Sequence, residues 1–190
     1  DLTSLMENEK EALMLCAEAS KLLNGLYQIQ LCGDNLENYL EILREQNNPD
    51  LERFFQINAG PWNRFGSDAP FLPDIGEKPI TAGFYPEDLT KEEWNSWLEQ
   101  HPEDRKSFES NTTMIRRQNG QLIAIPYHEF FKGELMQANR LLSDASKKLE
   151  PSPLSTYLTE ISKSLLTGNY YDSDVAFVKT TGFPFEVIFG

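Results

Sequence analysis

Residues 60–86 hold five prolines and four glycines, and this tract constrains the fold more than any other feature of the chain. Proline fixes φ and removes a backbone donor while glycine loosens the backbone, so at this density neither a long helix nor a central strand can run through it. The tract also carries Trp62, Phe65, Phe71 and Phe84. That is more apolar surface than a disordered linker holds, and it predicts an ordered loop anchored by aromatic side chains. The chain therefore divides near it, into a helical segment over 1–58 and a mixed segment over 59–190.

The segment before the tract reads as helix. Ser4 with Glu7 forms a capping box, after which Leu5, Leu13, Ala17, Leu22 and Leu26 keep one face apolar to about Leu31, and Gly33-Asp34 ends the run. A second helix carries Leu36, Tyr39, Leu40 and Leu43, and a third starts at Asp50 behind Asn48-Pro49.

After the tract, the signals alternate. Residues 80–85 read as a short strand, and Thr90 with Glu93 caps a helix bearing Trp94, Trp97 and Leu98 that stops at His101-Pro102. Two β-prone runs, 112–117 and 121–127, meet at Asn119-Gly120, the pair that suits a type I′ hairpin turn. A long helix over 128–149 presents Phe131, Leu135, Ala138, Leu142 and Ala145 on one face before Pro151 and Pro153 break it. A further helix over 155–166 ends before Gly168, and strands are expected over 175–179 and 185–189. Helices first and a mixture afterwards predict an α+β class, with N-terminal helices followed by a small, mainly antiparallel sheet and interleaved helices. The apolar run Val187-Ile188-Phe189-Gly190 has strand composition and no polar tail. It predicts an unpaired strand edge capable of self-association and a natural chain that continues.

Seventeen Lys and Arg against thirty Asp and Glu leave a charge of −13 in 190 residues. A pI near 4.6 argues against nucleic-acid and anionic-membrane partners, both of which require a basic surface. No apolar run approaches the roughly 20 residues that span a bilayer. Cys16 and Cys32 match no redox or zinc spacing and read as buried free thiols. The first residue is Asp1, so both a cytoplasmic and a periplasmic location stay open.

No complete catalytic motif is present. His128-Glu129 opens like a zinc-peptidase helix, but the positions where a second histidine is needed hold Lys132 and Gly133, and the other histidine, His101, has no matching spacing. No Gly-x-Ser-x-Gly elbow, phosphate-binding glycine loop or Nudix box occurs. Carboxylate pairs such as Glu92-Glu93 read as solvated helix surface. Arg116-Arg117 lies on a predicted strand, where neighbours face opposite sides, so at most one should reach a given cleft and ion pairing is the expected role. Tyr85, leaving the aromatic tract before Pro86, either presents its hydroxyl to a cleft or packs half-buried.

Several tracts in order carry a resemblance. The runs Asn58-Ala59-Gly60-Pro61-Trp62-Asn63-Arg64 and Gly76-Glu77-Lys78-Pro79 are followed by Gly83-Phe84-Tyr85-Pro86-Glu87-Asp88-Leu89-Thr90-Lys91-Glu92-Glu93. Next come Ile115-Arg116-Arg117, Ile125-Pro126-Tyr127 and Val187-Ile188-Phe189-Gly190. Together they resemble the N-terminal part of dipeptidyl peptidase III-like zinc metallopeptidases, in the bacterial branch, where some relatives carry Nudix-fused hydrolase names. The resemblance implies a two-lobed enzyme with zinc in a helical lobe and a β-core in the other, the latter corresponding to 59–190. It also implies a peptide substrate lying beside an edge strand and losing dipeptides from its N-terminus. The family's metal helix has no counterpart in this sequence, so the resemblance implies no catalytic or metal-ligating residue here and makes the remainder of the chain a partner. It implies one substrate contact, Tyr85, on a strand holding a cleft tyrosine, although Pro86 departs from the animal enzymes' pattern. The alternative is a stand-alone peptide- or protein-binding module without enzymatic activity.

Overall fold

The computed structural model describes residues 2–189. It is α+β: helices predominate, accompanied by two small antiparallel sheets of two strands each. Packing groups the chain into two compact units, one of 1–23 with 126–190 and the other of 24–125. The division expected near residue 58 follows a change of composition, whereas these units follow contacts.

In the first unit, helix α1 (Glu7–Cys32) begins three residues after the expected cap Ser4. Glu9 replaces it: its carboxylate reaches back to the Met6 N–H at 2.8 Å and satisfies a donor that a helix start leaves unpaired. Ala12, Cys16 and Ala19 recur at helical spacing and are buried.

The single helix expected over 128–149 is split at Phe131 into α6 (Tyr127–Phe130) and α7 (Lys132–Lys148). The apolar face persists through the break, since Phe131, Leu135, Ala138, Leu142 and Ala145 are all buried. Helix α8 (Pro153–Thr167) starts with Ser152 accepting from the Ser155 N–H and Pro153 at the first position, and it ends at Gly168 in the left-handed region, φ 71°. A seam of small polar groups lies between α7 and α8. Ser146 bonds to Ser155 and Thr159, and Asn139 donates to the Ser162 carbonyl at 2.8 Å.

The two strands expected over 175–179 and 185–189 are absent among the described residues. Most of 175–179 belongs to α9 (Tyr171–Phe177), nucleated by Asn169 accepting from the Tyr171 N–H and by Ser173 bridging the Tyr170 carbonyl and Ser164. These local bonds and the packing of α9 on α8 outweigh the β-preference of Val175 and Val178. Residues 183–189 are irregular, and the Phe189 N–H donates to the Tyr157 hydroxyl at 3.0 Å. The strand edge that suggested self-association is therefore not formed by the described residues.

The second unit holds the end of α1, α2 (Leu36–Glu45) and α3 (Pro49–Asn58), which starts on Asn48 as expected. The tract over 60–86 is ordered around Trp62. This residue is buried, meets Tyr39 edge-on at 5.4 Å and donates its indole N–H to the Gly76 carbonyl. A minimal ladder of β1 (Trp62–Asn63) with β2 (Ala69–Pro70) ties its two sides. Residues 80–85 form turns and no strand. They are fastened by the Gly83 N–H donating to the Gln30 carbonyl at 2.8 Å and by the Ile115 N–H donating to the Phe84 carbonyl.

Helix α4 (Lys91–Gln100) is capped by Thr90 as expected, and α5 (Arg105–Phe108) follows a short turn. The hairpin forms where Asn119-Gly120 required it, between β3 (Thr113–Gln118) and β4 (Gln121–Pro126), with positive φ of 53° and 81° at the two turn residues. Ile115 and Leu122 pack from it into a core with Leu98 and Phe108.

Candidate functional site

The second unit contains an open pocket of about 430 Å³ that gathers most of the chemistry singled out by sequence. Its floor is a close backbone crossing. The C-terminal end of α1 turns at Gly33, φ 59°, and Gly83 lies directly against it. A Cβ on Gly83 would stand 2.3 Å from the Ile29 carbonyl oxygen, so no larger residue fits there.

Arg116 forms one wall. Its guanidinium donates to the Phe84 carbonyl at 3.2 Å, the Ile115 carbonyl at 2.7 Å and the Gly83 carbonyl at 3.0 Å. Burial pushes its pKa down, and the charge of Asp34 opposes that shift. Arg117 forms another wall as the centre of an ionic clamp. It bonds Glu93 through both terminal nitrogens at 2.7 Å and meets Asp88 at 3.0–3.1 Å. These hydrogen bonds hold the Asp88 and Glu93 carboxyls below their ordinary values and raise that of Arg117. The expectation that only one of the two arginines would reach a given cleft is corrected. Arg116 folds back along the β3 edge toward backbone carbonyls while Arg117 reaches across to α4, and both line the pocket.

Tyr85 lines the same pocket, half-buried, with its ring edge-on to Trp94 at 5.5 Å and its hydroxyl in no hydrogen bond among the described residues. Its ring packs on Trp94 while the residue lines the pocket. It lies on a turn and not on the strand implied by the resemblance. Asp34, Asn35, Glu87 and Asp88 complete the rim, where the Asn35 amide donates to Glu87. These four were missed because their meeting depends on Gly33 touching Gly83 across about fifty residues of chain. The only local hint is a glycine at each contact point.

The residues present do not fit a zinc ion. His128 packs its Nδ1 against Gly168 and lies 4.0 Å from Glu129, whereas the His101 ring lies tilted against Trp97, centroids 4.3 Å apart, in the other unit. No group of three His, Cys, Asp or Glu side chains able to hold a metal occurs among the described residues. The pocket offers hydrogen-bond donors and acceptors of both charges, which suits binding and orientation of a polar ligand. Cys16 and Cys32 are buried free thiols, as expected, with burial pushing them up to about 11 and about 12.

No family model matches the chain. Among solved structures it superposes on dipeptidyl peptidase III from Caldithrix abyssi with a TM-score of 0.87 and 34% identity, over 96% of this chain and 35% of that one. The chain is thus similar to about a third of a dipeptidyl peptidase III. The enzyme of the same name from Corallococcus sp. strain EGB agrees, with a TM-score of 0.86 and 29% identity over 96% of this chain and 35% of that one. A curated relative, Nudix hydrolase 3 of Arabidopsis thaliana, is 24% identical over 230 aligned positions that take in 93% of this chain and 30% of that protein. The chain thus spans about a third of the length of each relative. The sequence has no Nudix box, so the last likeness brings no nucleotide-hydrolase motif with it. What the likenesses support together is a peptidase-related domain.

Proposed function

We propose that this chain is the non-catalytic portion of a zinc-dependent dipeptidyl peptidase that releases dipeptides from peptide N-termini, with the zinc helix lying outside these 190 residues. The observation that carries this is the 34% identity to a dipeptidyl peptidase III sustained over 96% of the chain at a TM-score of 0.87. The donor chemistry agrees: two histidines placed in different units, each packed against its own neighbours, supply no agent for activating water. Peptide is the substrate class in this reading, and Tyr85 is its contact in the second unit.

Two measurements test it. The chain alone, supplied with zinc, should release no dipeptide from a dipeptidyl-naphthylamide. A chimera in which it replaces the matching third of the Caldithrix enzyme should cleave that substrate and retain zinc. A chimera that unfolds cooperatively and keeps zinc yet cleaves nothing would overturn the proposal in favour of a binding module, and turnover by the chain alone would overturn it from the other side.

A further inference from the structure

We infer that Asn119-Gly120, at the tip of the β3–β4 hairpin, is a site of spontaneous covalent modification, where the Asn119 side-chain amide is lost as ammonia and a carboxylate takes its place. The reaction balances with water as its only co-reactant. The Gly120 nitrogen gives up its proton and bonds to the Asn119 side-chain carbonyl carbon, and the amide group leaves with that proton as ammonia, closing a cyclic imide. Water then opens the imide. Attack at the side-chain carbonyl gives aspartate in a normal backbone, and attack at the main-chain carbonyl gives isoaspartate, with the chain running through the former side chain.

Both reacting groups are open. Asn119 and Gly120 are exposed, as are Gln118 and Gln121 on either side. The Asn119 side chain and the Gly120 N–H are in no hydrogen bond among the described residues, and nothing lies within 4 Å of where a Cβ on Gly120 would stand. The pair must rotate for the nitrogen to meet the carbon, and no packing resists that rotation, while glycine brings no side chain to obstruct it.

The chain holds its own control. Asn24-Gly25 is the same dipeptide, its asparagine is also exposed, and Gly25 likewise has nothing within 4 Å of its would-be Cβ. It lies inside α1, however, where each N–H is held by the carbonyl four residues back. Rotation there interrupts the helix between the buried Ala19 and Leu26, which costs more than opening an exposed two-residue turn. The two sites are chemically equal, and the fold alone separates them.

The two products differ in what they do to the hairpin. Aspartate followed by glycine suits a type I′ turn as asparagine does, so that product keeps the register. Isoaspartate adds a main-chain carbon to a turn whose length sets the register of β3 on β4, and so disturbs the strands that bury Met114, Ile115 and Leu122. Either product adds a negative charge to a chain already at −13.

The test is incubation of the folded chain at about pH 8 in water enriched in heavy oxygen, followed by proteolytic mapping with mass spectrometry. Position 119 should gain a labelled carboxylate, as both isomers, at least about tenfold faster than position 24, a ratio for which a difference of about 1.4 kcal/mol in local opening suffices. In urea that unfolds the chain, the two rates should converge. The isolated isoaspartyl form should unfold at lower urea than Asn119→Asp, which carries the same charge in a normal backbone. Equal labelling of the two positions in the folded chain, a difference that persists in urea, or aspartate formed without isoaspartate overturns the inference. None of these readouts involves peptide cleavage, so the inference and the proposed function fail separately.

Discussion

At the scale of single residues, Gly83 is the position with least freedom. Its Cβ-to-be overlaps the Ile29 carbonyl oxygen, the Gly33 nitrogen and the Gly33 Cα, all of them backbone that cannot swing away. Gly83→Ala should therefore destabilise the chain by about 1–3 kcal/mol, the usual cost of overpacking, seen as a lower urea midpoint at unchanged slope. Arg117 shows the opposite logic, since its partners are solvent-facing and its contribution depends on pH. Asp88 and Glu93 have native values below their ordinary 3.8 and 4.5. The stabilisation they confer is thus present above those values and lost as pH falls through the native ones. Arg117→Gln should be less stable than the parent at neutral pH, and the gap should close on acidification; a gap constant from pH 7 to pH 2 contradicts the clamp. The thiols behave in the reverse sense. Because Cys16 and Cys32 ionise near 11 and 12 when folded against 9.0 for an ordinary thiol, the unfolded chain loses its protons first and stability falls as pH rises past 9.0. A thiol-reactive disulfide reagent at pH 8 should label neither cysteine until the chain is unfolded.

At the scale of elements, boundaries are where local chemistry and packing can be told apart. Thr90, Ser152, Asn119-Gly120 and Gly168 act where their types require, because a cap or a tight turn is satisfied by atoms within a few residues. Ser152→Ala removes the acceptor of the Ser155 N–H at the start of α8 and should cost about 1 kcal/mol, measurable by thermal or urea unfolding. Where sequence misled, the deciding partner was distant. Residues 80–85 have strand composition, but Gly83 and Phe84 spend their backbone groups on Gln30 and Ile115, so no ladder remains to be made. Val175 and Val178 favour strand, yet α9 has a helix-starting Asn169 and a face that packs on α8. Ser4 looked like a cap, but Glu9 took that function from inside the helix.

At the scale of the whole molecule, charge is the dominant property. A net −13 keeps the chain soluble at neutral pH through self-repulsion, and that protection vanishes near a pI of 4.6. Turbidity should peak as pH is lowered through about that value and fall again below it. A chain that stays clear throughout would point to uneven charge, with one face remaining charged. The sequence by itself determined what depends on near neighbours and on totals: the α+β class, most helices, the hairpin, the ordered aromatic tract and the buried thiols. Tertiary structure alone decided which distant residues share a surface. Gly33 meets Gly83, and through that contact Asp34, Tyr85, Arg116 and Arg117 line one pocket, although roughly fifty residues separate the first from the second. The reason is physical: a cap or turn is closed by bonds a few residues long, whereas a pocket is closed by whichever remote backbone comes close enough to exclude a side chain, and no local pattern encodes that approach.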